Sequence, residues 1–128
     1  MSKISHILLP NPVVIPTGTQ LDEAAKLMKA NKITSVLVSK NGKLAGIISV
    51  EDIINIAAER GRLDIPVDTV MHSPQLSIDS GKWLFDAIIM FEHNKESYLS
   101  VLENGEKIGI IRADDLLHTY RFNYETQR

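Results

Sequence analysis

Short apolar runs alternate along the chain with stretches in which apolar residues recur every three or four positions, which predicts strands and helices in turn. Val13-Val14-Ile15 reads as a brief strand closed by Pro16 and Gly18. Between Leu21 and Asn31, the residues Leu21, Ala24, Ala25 and Met28 share one helical face and charges occupy the other. Thr19 is the expected N-cap of that helix, with Asp22 and Glu23 in the first turn. Thr34 to Val38 is rich in β-formers, Asn41-Gly42 marks a tight hairpin turn, and Leu44 to Ile48 is the return strand. A second helix follows from about Val50 to Arg60, and Gly61 ends it. Ahead of all this, Ile4 to Leu9 fits one short helical turn before Pro10-Asn11-Pro12, where an extended path is expected. Arg62 to Asp68, with Pro66 inside it, reads as a connector.

The pattern then repeats. Leu76-Ser77-Ile78 echoes Val13-Val14-Ile15, the stretch Leu84 to Phe91 echoes the first helix, Asn104-Gly105 echoes Asn41-Gly42, and Gly109-Ile110-Ile111 echoes Gly46-Ile47-Ile48. At the single offset of 63 positions, thirteen of the forty residues from Ile15 to Ile54 are identical. Chance would give only two or three, so the chain is an internal duplication of a β-α-β-β-α unit. The predicted class is mixed α/β (α+β), with repeats at residues 1–63 and 64–128 packed with pseudo-two-fold symmetry.

Composition narrows the function. The chain has 128 residues, 44% hydrophobic and 23% charged, which suits a folded domain rather than a disordered one. A formal net charge of −2 leaves no basic footprint for nucleic acid and no polybasic patch for a membrane. The absence of cysteine removes disulfides, thiolate metal sites and cysteine nucleophiles. Prolines at positions 10 and 12 interrupt the only N-terminal apolar run, so neither a signal peptide nor a spanning helix is expected, and a cytoplasmic location is the default.

The candidate chemistry lies where the last strand of each repeat enters its helix. Backbone N–H groups at a helix start carry partial positive charge, so two such junctions are two possible anion-binding corners. Ser49 and Asp52 are spaced as a capping box, in which the carboxylate bonds back to the cap. The same residues can also meet a ligand, the carboxylate accepting from adjacent ribose hydroxyls and the hydroxyl meeting a phosphate. At the second junction Arg112 stands where Ser49 stands in the first. Arginine is a poor N-cap, so it either turns to solvent or pairs with Asp114 or Asp115, or it meets a bound phosphate; the phosphate is the favoured reading.

Gly46-x-x-Ser49-x-x-Asp52 and Gly109-x-x-Arg112-x-x-Asp115, each after a helix, a strand and an Asn-Gly turn, resemble a tandem pair of cystathionine-β-synthase-type (CBS) domains, or Bateman module. The resemblance runs from about Val13 to Tyr120. It implies an adenosyl ligand such as AMP, ADP, ATP or S-adenosylmethionine, bound between repeats as a regulatory signal with no cofactor required. Carried over by position, Ile110, Arg112 and Asp115 would face Pro12, Val13, Ile33, Ser35 and Leu37. Ile47, Ser49 and Asp52 would face Gln75, Leu76, Glu96, Tyr98 and Ser100. The first grouping is the better site, because Ile33 offers an apolar wall where Glu96 brings a negative charge, and Tyr98 either stacks on a base or plugs its cleft. The competing reading is a protein-interaction scaffold with degenerate clefts, kept open by Glu96, Tyr98 and Arg112.

An enzyme is not expected. His6, His72, His93 and His118 lack ligand spacing and read as surface or helix residues, and the adjacent carboxylates Glu51-Asp52 and Asp114-Asp115 point in different directions. Pro16-Thr17-Gly18-Thr19 lacks the lysine of a phosphate loop, and Trp83 reads as packing or interface. Apolar stripes of Ile53, Ile54 and Ala57, and of Leu116, Leu117 and Tyr120, suggest a partner surface. Members of the resembled family pair through such helices into a flat disk, which implies a homodimer and an effector protein that reads it.

Overall fold

The computed structural model describes residues 2–8 and 11–116, and it divides the chain into two compact units. Of the described residues, the first unit takes 11–73. The second takes 74–116 together with the N-terminal segment 2–8.

In the first unit, β1 (Val14–Pro16), β2 (Ser35–Lys40) and β3 (Lys43–Ser49) form a three-stranded sheet in that order, parallel between β1 and β2 and antiparallel between β2 and β3. Helices α2 (Leu21–Asn31) and α3 (Val50–Arg60) belong to the same unit. The second unit repeats the plan with β4 (Ser77–Asp79), α4 (Leu84–Asn94), β5 (Tyr98–Glu103) and β6 (Glu106–Arg112), in sheet order β4-β5-β6. Residues 113–116 then enter a helix. A four-residue helix, α1 (Ile4–Ile7), starts the chain.

Local chemistry explains these bounds. Asn41 and Gly42 have φ of 52° and 77°, and Asn104 and Gly105 have 52° and 79°, the two left-handed residues that a tight hairpin of matching twist requires. Each hairpin also carries a register shift at the same place, after Val38 and after Val101. Gly61 ends α3 at φ 66°, its N–H donating to the carbonyl of Ala57. Two expectations fail. Thr19 does not cap α2, because its hydroxyl donates to the Pro16 carbonyl at 2.8 Å, and Gln20 takes the cap position without a side-chain bond. Asn11 is not extended but left-handed, at φ 53°.

Each unit has its own core. Leu21, Ala24, Met28, Val36, Val38, Ile48 and Ile56 pack together in the first, joined by Val67 from the connector. Leu84, Ala87, Phe91, Leu99, Val101, Ile111 and Leu116 do so in the second, joined by Ile4. Ile4 and Val67 stand at the repeat offset and both are fully buried. Their backbones match as well: Ile4 N–H donates to the Lys82 carbonyl and Val67 N–H to that of Thr19, each at 2.8 Å. The segment that precedes each repeat in sequence therefore packs against the other repeat, and this moves the compact division away from the expected boundary after residue 63.

Candidate functional site

At the first junction β3 runs into α3 through Ser49, which is buried and extended at φ −110°. Its backbone N–H donates to Asp52 Oδ2 at 2.8 Å, and its hydroxyl donates to the same oxygen at 3.0 Å. The Asp52 N–H returns a bond to Ser49 Oγ at 3.2 Å. This is the reciprocal capping box that the spacing predicts. Replacing Ser49 by alanine should therefore lower stability by about 1 kcal/mol, read from denaturant midpoints.

Asp52 has a further partner that sequence reasoning missed. His72 Nε2 lies 2.7 Å from Asp52 Oδ1, on the oxygen the capping box leaves over. His72 is thus not a bystander at the surface. Its backbone pairs with β3 in both directions, N–H of Ile47 to O of His72 and N–H of His72 to O of Ile47, each at 3.0 Å. The hydroxyl of Ser73 donates to the Ala45 carbonyl at 2.7 Å. The connector is clasped along the outer edge of β3, and the clasp brings the imidazole to the helix start.

The second junction is built differently. Arg112 is buried, and its Nε and Nη2 donate to Asp115 Oδ2 and Oδ1 at 3.2 and 3.1 Å. Arg112 thus pairs with Asp115, which provides the compensation that a cation at a helix start needs. The two aspartates differ in access: the Asp115 side chain is 56% exposed and that of Asp52 12%.

The other candidate residues fall in the unit of their own repeat. Pro12, Val13, Ile33 and Ser35 lie in the first unit with Ile47, Ser49 and Asp52, Ser35 standing opposite Ser49 across the hairpin. Leu76 and Tyr98 lie in the second with Ile110, Arg112 and Asp115, Tyr98 opposite Arg112. Ser100 is tied to its own unit, donating through its N–H to the Leu76 carbonyl at 3.0 Å and through its hydroxyl to that of Pro74 at 3.3 Å. Trp83 precedes α4, its N–H on Asp86 and the Lys3 ammonium 5.5 Å from its ring centre. Of the two apolar stripes, Ile53 and Leu116 are buried in their cores, Ile54 and Ala57 are exposed, and Leu117, His118 and Tyr120 lie outside the described residues. Among the described residues no three acidic or histidine side chains gather as a metal site, and no helix is long and apolar enough to cross a membrane.

The CBS domain family model matches residues 4–59, which span the first junction, and the second junction repeats its order. Residues 4–59 are a CBS domain. The other half of the chain repeats its plan, in mixed α/β class, as in a tandem pair of such domains. An uncharacterized 17.7 kDa protein of Acidianus ambivalens is 28% identical over 129 residues, covering 94% of this chain and 78% of its own length. Protein MJ1232 of Methanocaldococcus jannaschii is 29% identical over 116 residues, covering 90% of this chain but only 38% of that protein. Among solved structures, an uncharacterized conserved protein from Pyrococcus horikoshii superposes with a TM-score of 0.76 at 23% identity, over 94% of this chain and 92% of that one. The CBS domain pair of protein MJ0100, in complex with 5′-methylthioadenosine and S-adenosyl-L-methionine, gives 0.73 at 19%, over 96% and 98%. The CBS domain protein PAE2072 from Pyrobaculum aerophilum, complexed with AMP, gives 0.71 at 21%, over 89% of each.

Proposed function

We propose that this CBS pair is a regulatory module, not an enzyme, that binds an adenosine-containing ligand (AMP, ADP, ATP or S-adenosylmethionine) at its strand-to-helix junctions. Occupancy passes to a partner protein by linkage, since a ligand shifts an equilibrium only by its differential affinity for the two states. The observation that carries this reading is the Asp115 carboxylate, more than half exposed at a helix start and held side-on by Arg112. Adjacent ribose hydroxyls can donate to such a carboxylate, and a phosphate beside it meets guanidinium charge. That CBS pairs of the same fold bind AMP or S-adenosylmethionine supports the ligand class. Ile54, Phe85 and Ile89, all large and exposed, support assembly into a homodimer.

A second reading, a scaffold with closed junctions, is favoured by one fact: both aspartates already bond within their own unit. Thermal shift separates the two. A saturating adenosine ligand should raise the melting temperature by several degrees, since a hundredfold excess over Kd stabilises by about 2.7 kcal/mol. Asp115→Ala should abolish most of that shift and Asp52→Ala much less. No shift with any adenine or guanine nucleotide at millimolar concentration leaves the scaffold, and a greater loss from Asp52→Ala reverses the ranking of the junctions.

A further inference from the structure

The two junctions present their aspartates in different states, and the difference lies in His72. An ionised carboxylate offers about four acceptor positions. On Asp52, Oδ2 accepts two donors from Ser49 and Oδ1 accepts His72 Nε2, so three are taken. A pair of ribose hydroxyls needs two, and only one is left by this count. The Asp52 side chain is also 12% exposed while the imidazole in contact with it is 40% exposed, so His72 is the member of the pair nearer solvent. Ser49 cannot yield instead, because its two bonds to Oδ2 hold the start of α3.

The geometry points to His72 as a displaceable latch on Asp52: a ligand diol that engages this carboxylate takes Oδ1 from the imidazole and loosens the connector from the edge of β3. This rests on the ligand reading above and adds how the first junction is regulated. The connection to the chain beyond is direct. The backbone of His72 bridges Ile47, the hydroxyl of Ser73 donates to the Ala45 carbonyl, and Pro74 then begins the second unit. The latch makes the first junction the weaker site at rest, and it makes its occupancy visible in the connector. At the second junction the aspartate is held instead by Arg112, which belongs to the motif itself and lies on β6 rather than on a connector.

Hydrogen exchange and calorimetry on the full chain with AMP test this. Ligands ordinarily slow exchange; the latch requires that AMP, at concentrations filling both junctions, speed exchange of the Ile47 and His72 amides by about tenfold, the scale of one charge-assisted hydrogen bond. His72→Ala should speed the same amides without ligand, and should tighten AMP binding at the Asp52 junction by about tenfold. His72→Gln, which restores an N–H donor, should return both properties toward those of the wild type. Slower or unchanged exchange at Ile47 and His72 in the AMP-saturated wild type overturns the latch while leaving the module reading intact. The latch is equally overturned if His72→Ala leaves the weaker AMP site unchanged. If neither wild type nor His72→Ala binds AMP or any adenosine ligand, the module reading fails first and ligand release of the latch fails with it.

Discussion

Replacing Ile4 by alanine should destabilise the second unit, at the far end of the sequence, by about 2–5 kcal/mol, the range for removing a large aliphatic side chain from a core. Ile4 is fully buried, in the cluster that holds Ile78, Leu84, Phe91, Leu99 and Val101. Its backbone is bound there too: Ile4 N–H donates to the Lys82 carbonyl at 2.8 Å, Ser5 N–H to that of Ser80 at 3.0 Å, and Leu84 N–H to that of Ser2 at 2.8 Å. The alanine cannot fill the space, and a short helix fixed by flanking bonds has little freedom to collapse into it. Each kilocalorie lowers the melting temperature of a chain this size by about 3–6 °C, so a fall of about 6–30 °C is expected. Hydrogen exchange locates the effect. Protection at Leu99 and Val101 should fall further than at Val36 and Val38, although Ile4 precedes the first repeat in sequence. Val67→Ala should do the reverse at smaller magnitude, because Val67 fills the matching place in the first core. A greater loss at Val36 and Val38 from Ile4→Ala would contradict the exchange of segments.

Why that exchange is hard to read from the residues is a matter of what the duplication preserves. Strands, hairpin turns and helices are specified by local rules, and local rules survive copying: Asn-Gly recurs because a tight turn needs two left-handed residues. The bounds of α2 and α3 follow from periodicity and from Gly61. The segments 1–9 and 64–72 share no identity at the repeat offset, only apolar character at Ile4 and Val67, Ile7 and Val70, and Leu8 and Met71. Nothing local says which core such a segment joins. His72 escapes sequence reasoning for a related reason. It lies 20 positions from Asp52, and its partner is decided by where the connector docks on β3. At Ser49 and Asp52 the spacing is sufficient, because a capping box is closed within one turn. At Arg112 the spacing leaves more than one outcome, and the structure has the guanidinium buried against Asp115.

The duplicated glycines offer the sharpest comparison between the units. A Cβ on Gly46 would stand 2.7 Å from Met71 Sδ and 2.9 Å from the carbonyl oxygen of His72. The methionine can turn aside, being unbranched and flexible. The carbonyl cannot, since it is main chain and already accepts the Ile47 N–H at 3.0 Å. Gly46→Ala therefore has to move backbone, and overpacking of this kind costs about 1–3 kcal/mol. On Gly109 the same Cβ would meet one terminal methyl of Leu8 at 3.0 Å and, among the described residues, nothing else closer than 3.6 Å. A small rotation of that side chain relieves it, and the loss of glycine's freedom in the unfolded chain contributes about 0.4–1 kcal/mol in the opposite direction. Gly109→Ala should be near neutral. Denaturant midpoints measure both, and exchange at the Ile47 amide separates a general loss of stability from the specific lifting of the connector off β3. If the two alanines cost the same, the His72 carbonyl is not held at that edge as firmly as its bond to Ile47 requires. If Gly109→Ala is the worse, the Leu8 side chain is held over Gly109 more firmly than the His72 carbonyl is held over Gly46.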